Sequence, residues 1–288
     1  MPELPEIETV KEQLASRIAG KKIIKIEILE KKQFIGDKTK IIGKKIDRLW
    51  RRAKMLAVDI DKLVLLIHLK MTGQIIYLDD NNKSISVGGH PLPFSSAQLP
   101  NKTTRVVIEL SDHSWLFFND LRKFGWMKVL AKRKVARELS ALGPEPLGEE
   151  FSLEYLRNTL SKTRRAIKTI LMDQAKIAGI GNIYASEALF EAGIDPRRKA
   201  NSLLDQEVAD LHQAIRRILA KAIKYDGTSA ADRVYVKPDA FPGRYQNFLK
   251  VYQREGEKCL VCAGKIKRVI QVNRSTFFCP KCQKSVDS

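Results

Sequence analysis

The chain has 288 residues, room for two domains or more, and an ordinary globular share of 44% apolar residues. Its 52 Lys and Arg against 33 Asp and Glu give a formal net charge of +19, which suits a polyanion, most often nucleic acid. Apolar runs such as LVLLI at 63–67 are far too short to span a bilayer, and no long amphipathic anchor gathers the scattered basic residues. Acids sit where a signal peptide would need positive charge, so a cytoplasmic, nucleoid-associated location is the expectation.

The first predicted element is a helix over 4–18. Ile7, Val10, Leu14 and Ile18 recur at helical spacing, Pro5 suits a first turn whose N–H is not needed, and Gly20 ends the run. Glu3, Glu6 and Glu8 complement the positive end of that helix. Strands follow. KIIKIEILE (22–30) alternates apolar and charged residues, and MLAVDIDKLVLLIHL (55–69) reads as two strands around a turn at 59–62. RVVIELSDHSWLFF (105–118) reads as a hairpin turning at 111–114, and residues 79–104 as a long polar loop. Several hairpins plus one helix predict an antiparallel sandwich over about the first 130 residues.

The text changes at AKRKVARELSALGPEPLGEE (131–150), a linker candidate. Helices are predicted over 151–160, 164–173, 183–191 and 205–224, the last with Val208, Leu211, Ile215, Ile218 and Leu219 on one face. Between two of them lies Gly179-Ile180-Gly181-Asn182. Opening a helix, this turn can present backbone N–H groups and Asn182 to a phosphate, or it can be a helical hairpin with Asn182 as N-cap; the two readings are compatible. Arg164, Arg165 and Lys168 lie on the preceding helix. Residues 226–248 are irregular.

All four cysteines fall in the last forty residues, as Cys259-x-x-Cys262 and Cys279-x-x-Cys282. Two such pairs offer four thiolates to one tetrahedral Zn²⁺ with no open position, hence a structural ion. Disulfides suit a reducing compartment poorly, and a redox pair needs no twin. Between the pairs, KIKRVIQVNRSTFF (265–278) reads as a hairpin turning near 273–275. Arg274 at its tip is either a solvated turn arginine or a phosphate or minor-groove contact.

Six stretches in order, MPELPE, RRAKML (51–56), HLKMTG (68–73), DLRKFG (120–125), GIGN and the terminal cysteine pairs, resemble the bacterial formamidopyrimidine-DNA glycosylases over nearly the whole chain. The resemblance implies an α+β multidomain protein. Its parts are an N-terminal antiparallel β-sandwich with an N-terminal helix (1–133), a linker (134–150), a helical helix-two-turn-helix domain (151–248) with a lesion-covering loop at 227–248, and a C-terminal β-hairpin zinc finger (249–288). It also implies a monomer that excises oxidised purines from damaged double-stranded DNA and then cuts the strand by β,δ-elimination.

On this resemblance Pro2, freed by loss of Met1, is the nucleophile. An α-amine has a pKa of about 7.7–8.0, far below a lysine, so it is partly neutral at working pH. It can attack the sugar C1′ and form an iminium that drives strand cleavage. Glu3 is the implied general acid/base, Glu6 supports the site, and Lys54 at a strand start holds the phosphate beside the lesion. Met71, Arg122 and Phe124 match the trio that fills the gap left by an everted nucleotide, with Arg122 facing the orphaned base. Lys168 and the 227–248 loop fall where the family contacts or covers that base; Asn182 and Arg274 hold phosphates.

The chain departs from the family pattern in places. Lys123 stands for an arginine and Asn273 for a frequent glycine; NKTTR (101–105) replaces a histidine-containing stretch, leaving Lys102 or Arg105 as the substitute phosphate contact. The 79–104 loop is long, and GTSAAD (227–232) differs from the usual wording of the lesion loop. The competing expectations are an endonuclease VIII-like glycosylase for oxidised pyrimidines and a catalytically inactive lesion-binding protein. Leu4 and the full trio favour the purine enzyme; Pro2, Glu3 and Lys54 favour catalysis.

Overall fold

Helix α1 (Leu4–Ile18) begins almost at the first residue, because Glu6 in its first turn accepts the Glu3 backbone N–H at 2.8 Å and Pro5 needs no partner there. Our computed structural model describes residues 1–81, 99–228 and 244–285, together with the backbone of 84–89. The chain divides into two compact units, Met1–Leu139 with Tyr225–Arg244, and Ser140–Lys224 with Tyr245–Ser288.

In the first unit, Ile7, Val10, Leu14 and Ile18 all face the core, as their spacing requires. Two five-stranded sheets complete it. One runs β1 (Ile23–Ile28), β8 (Thr104–Leu110), β9 (Trp115–Asp120), β6 (Gly73–Leu78), β7 (Ser84–Gly89). The other runs β2 (Phe34–Ile35), β10 (Trp126–Ala131), β5 (Leu63–His68), β4 (Met55–Ile60), β3 (Arg48–Arg52). Every pairing is antiparallel except β2 with β10. Ile26, Ile75, Val106 and Phe118 from one sheet meet Leu56, Leu65, Ile67 and Met127 from the other in a single core.

Two expectations change here. The start of the anticipated linker is helical: α2 (Lys132–Leu139) packs Val135 over Ala57, Val64 and Leu66 on the outer face of the second sheet. That cover explains why β4 and β5 are apolar on both faces and do not alternate. Within the anticipated 79–104 loop, β7 pairs with β6; residues 82–83 and 90–98 lie outside the described residues.

The second unit is built from α3 (Leu153–Ser161), α4 (Ile167–Leu171), α5 (Asn182–Glu191), α6 (Asp205–Lys224) and the hairpin β11 (Lys267–Gln271) with β12 (Arg274–Phe278). Ser152 caps α3 by accepting the Tyr155 N–H at 3.0 Å. Helix α6 buries Val208, Leu211, Ile215, Ile218 and Leu219, the predicted face. Helix α4 is shorter than its sequence suggests: Thr163 to Ala166 run irregularly, and the Ala166 and Lys199 backbones form a β-bridge. Among the described residues, no helix is long and apolar enough to cross a membrane.

Candidate functional site

The first unit gathers the residues expected to carry chemistry around the start of α1. Met1 is present, so the Pro2 nitrogen is an amide in this chain. Pro2 is half-buried, whereas Glu3 is only 2% exposed. Glu6 joins two segments far apart in sequence: Oε2 takes the Glu3 N–H at 2.8 Å, and Oε1 takes the Thr228 N–H at 2.8 Å and its hydroxyl at 3.1 Å. Gly227 is needed for this approach, since a Cβ there would lie 2.7 Å from Glu6 Oε1 and its φ is +73°. The following residues, 229–243, which hold most of the expected lesion-covering loop, lie outside the described residues.

Lys54 sits in the turn between β3 and β4, not at a strand start, and is 5% exposed. A chain of contacts fixes it relative to α1. Glu8 on the helix accepts Arg51 Nε at 2.6 Å, and Arg51 Nη1 donates to the Ala53 carbonyl at 3.1 Å, where φ is +52°. Burial pushes the Glu8 carboxyl up, but hydrogen bonds from Lys11 and Arg51 outweigh it and hold the group below the usual carboxylate range.

Met71 follows β5 and is half-buried; Arg122 and Phe124 lie exposed between β9 and β10. The Arg122 guanidinium stacks 4.7 Å from the centre of the Phe124 ring, and Phe124 is 52% exposed. An aromatic residue and an arginine presented to solvent together are unusual core material and suit a wedge. Lys102 is exposed in a turn. Arg105 is half-buried, and its Nε donates to the Asp120 carbonyl at 2.9 Å, so part of its guanidinium is committed to the fold.

In the second unit a cleft of about 490 Å³ opens between α4 and the hairpin, lined by Arg165, Lys168, Asn273 and Arg274 among others. Three cations there face one acid, Asp173, which pairs with Arg165 at 3.2 Å. Lys168 lines the cleft from within the fold. It is 2% exposed, and its ammonium donates to Thr276 Oγ1 at 2.9 Å and the Ser275 carbonyl at 3.3 Å, tethering the hairpin. Asn182 is the first helical residue of α5, and Gly181 is the N-cap. The Asn182 amide donates to the Ser275 carbonyl at 3.0 Å. The hairpin turns at Val272–Asn273, with φ of +45° and +57°, one residue earlier than expected, and Arg274 follows exposed.

The four cysteine sulfurs lie within 4.8 Å of one another, with Cys259 and Cys282 at 3.8 Å and Cys262 and Cys279 at 3.5 Å. Sulfurs around Zn²⁺ at about 2.3 Å in a tetrahedron stand roughly 3.8 Å apart, so the cluster fits one structural zinc. The module buries its cysteines with Val251, Ile266 and Phe277 against Phe190 of α5, a small core that needs such a staple.

Comparison with known proteins decides the family. The formamidopyrimidine-DNA glycosylase of Carboxydothermus hydrogenoformans is 40% identical over 290 residues, covering 99% of this chain and 100% of that one. This chain belongs to the formamidopyrimidine-DNA glycosylase family. The glycosylase of Listeria monocytogenes is 37% identical with the same coverage. Family models match in order: the N-terminal domain of formamidopyrimidine-DNA glycosylases over 1–127, their H2TH domain over 142–234, and the zinc finger found in these enzymes and in IleRS over 256–284. The Lactococcus lactis enzyme in complex with abasic-site DNA superposes with a TM-score of 0.86 at 34% identity, covering 98% of this chain and 100% of that one. The wild-type Lactococcus enzyme with DNA containing N7-benzyl-Fapy-dG also gives 0.86, at 34% identity and 99% coverage of this chain. Membership carries the coarse activity with it, a DNA glycosylase of DNA repair.

Three side chains escaped the sequence reading. His68, inside HLKMTG, is largely buried beside Trp126, with ring centres 5.8 Å apart. Burial, then the charges of Lys70 and Lys54, lower its pKa to about 3, so the imidazole is neutral and its Nδ1 accepts the Lys70 N–H at 3.0 Å. Asp120 is wholly buried under the Arg122 loop. Glu187, the acid buried in the middle of the apolar NIYASEALFE helix, accepts the backbone N–H groups of Lys250, Val251 and Tyr252 at 2.8, 3.0 and 2.8 Å. Its place on a stretch that is otherwise apolar from Ala185 to Phe190, apart from Ser186, was the available signal.

Proposed function

We propose that the protein is a bifunctional glycosylase and AP lyase that removes oxidised purines from duplex DNA, with Pro2 as nucleophile once Met1 is lost. The observation that carries this reading is the corner at the start of α1. There Pro2 adjoins a buried Glu3 whose backbone is held by Glu6, and Glu8 with Arg51 fixes the Lys54 turn against the same helix. Relatives crystallised with Fapy-dG and abasic-site DNA support the substrate class.

The neutral Pro2 nitrogen forms a bond to C1′ as the C1′–base bond breaks, its own proton passing to the departing base; the C1′–O4′ bond then opens to the iminium, with Glu3 delivering a proton to the ring oxygen. The resulting iminium acidifies C2′. Loss of that proton expels the 3′ phosphate, and a second elimination expels the 5′ phosphate. Lys54 holds the phosphate beside the reacting sugar. Its burial strengthens that ion contact relative to one in water. Asn182 and Arg274 add phosphate contacts from the second unit, and Met71, Arg122 and Phe124 fill the vacated stack, with Arg122 facing the orphaned base.

The test is borohydride trapping on duplex containing 8-oxoguanine opposite cytosine, using protein shown by mass to lack Met1. A covalent band is expected, Pro2→Gly should lose most strand cleavage, and thymine glycol should be the poorer substrate. No band from the processed protein would refute the nucleophile; preference for thymine glycol would transfer the reading to oxidised pyrimidines.

A further inference from the structure

We propose that Asp120 is a positioning residue that clamps the two loops bearing Met71, Arg122 and Phe124 into one rigid reader of the opposite base. The inference rests on the reading of Arg122 given above.

The loops come from different connections. Met71 and Thr72 lie between β5 and β6, whereas Leu121–Gly125 join β9 to β10. Asp120 ends β9 opposite Gly73 and is 0% exposed. Its Oδ1 accepts the Thr72 hydroxyl and the Arg122 N–H at 3.2 Å. Its Oδ2 accepts the Gly125 N–H at 2.7 Å and the Gln33 amide at 2.9 Å. Four donors fill the roughly four acceptor sites a carboxylate offers. The set is cross-linked: Thr72 Oγ1 also accepts the Arg122 N–H at 3.0 Å, and the Gln33 amide also donates to the Gly125 carbonyl at 2.9 Å. Behind it, the Asp120 N–H binds the Thr103 carbonyl at 2.8 Å.

One carboxylate therefore holds both ends of the 122–125 turn and the residue after Met71. Gly125 leaves no play, since a Cβ there would stand 2.7 Å from the Phe118 ring and 3.0 Å from the His68 carbonyl. Arg122 and Phe124 project from this fixed base into solvent. Ordering them in advance removes an entropic cost that a mobile loop would meet on each encounter with DNA. Asparagine has nearly the same shape but only one oxygen. Its NH₂ must face either the Thr72 and Arg122 donors or the Gln33 and Gly125 donors, which releases one side of the clamp.

Single-turnover excision from 8-oxoguanine:C and 8-oxoguanine:A duplexes gives a preference ratio for wild type, Asp120→Asn, Thr72→Val, Arg122→Ala and the Asp120→Asn/Arg122→Ala double variant. Asp120→Asn should lower the ratio about tenfold, the scale of losing one hydrogen bond to a charged group. The double variant should match Arg122→Ala alone, because the clamp acts through that side chain. A merely structural role would slow both substrates alike and leave the ratio fixed. If Arg122→Ala abolishes the ratio while Asp120→Asn keeps it, the clamp is refuted and the reading of Arg122 stands. If Arg122→Ala keeps the ratio, the reading itself fails and takes the clamp with it. Should Asp120→Asn not fold by thermal melt, Thr72→Val decides. Removing that one hydroxyl should lower the ratio about threefold, and an unchanged ratio overturns the proposal.

Discussion

Replacing Glu187 by glutamine alters one atom and should loosen the whole zinc module. The carboxylate is 2% exposed and takes three backbone N–H groups in succession, from Lys250 on Oε2 and from Val251 and Tyr252 on Oε1. Glutamine keeps one oxygen for two of them and turns an NH₂ toward the third. Burial pushes the Glu187 carboxyl up, against the three N–H groups that favour its charge. One lost bond is worth about 0.5–1.5 kcal/mol even to a neutral acceptor, and the N–H left facing a donor adds about 1–3 kcal/mol. A net loss of about 3 kcal/mol raises the local opening equilibrium by roughly 100-fold. The segment concerned leads into the zinc core through Val251 and Tyr252. Hydrogen exchange at the amides of 250–252 and the rate of zinc capture by a chromogenic chelator should both rise steeply in Glu187→Gln. Exchange and capture within twofold of wild type would show that the three bonds do not hold the module, and the reasoning would fail.

Metal analysis should find about one zinc per chain, and Cys259→Ser should lose it and weaken DNA binding while the sandwich unit keeps its melting transition. Arg274→Ala should weaken binding to all duplexes alike and reduce the log–log salt slope by about one, as for one phosphate contact. His68 is neutral in the fold with a pKa of about 3. The unfolded chain takes up a proton below about pH 6.5, so its stabilisation is complete above that pH and is lost as pH falls from 6.5 toward 3. His68→Asn, whose oxygen can replace Nδ1 as acceptor for Lys70, should lose about 1–2 kcal/mol less than wild type between pH 7 and 5 in urea titrations.

Periodic elements were legible in the sequence because one physical pattern dominates them. The apolar stripes of α1 and α6 gave their bounds, and the alternation of β1 gave its place. The cysteine spacing gave the zinc site for the same local reason. What failed to show was set by distant partners. The start of the linker region is helical because Val135 covers a sheet whose strands lie some seventy residues earlier, at Ala57 and Leu66. Helix α4 starts late because the residue before it bridges to Lys199. Lys168 was expected at the everted base, and its bond to Thr276, 108 residues on, could not be read from the sequence. Asp120 and Glu187 went unremarked in the sequence, because only the fold brings four donors to one and three to the other.

The bond from Glu6 to Thr228 spans 222 residues. On a ribosome adding about 5–20 residues per second, the partner for Glu6 emerges roughly 11–44 s after Glu6 itself. The first unit is interrupted by residues 140–224, all of which must be synthesised before its last segment arrives. A product truncated before Thr228 therefore carries a sandwich with an unfinished corner. Such a fragment has the loop that carries Arg122 and Phe124 but lacks the Thr228 side of the Glu6 clasp. The first unit is thus completed only after the residues that interrupt it have been made, so its last contact closes late in synthesis.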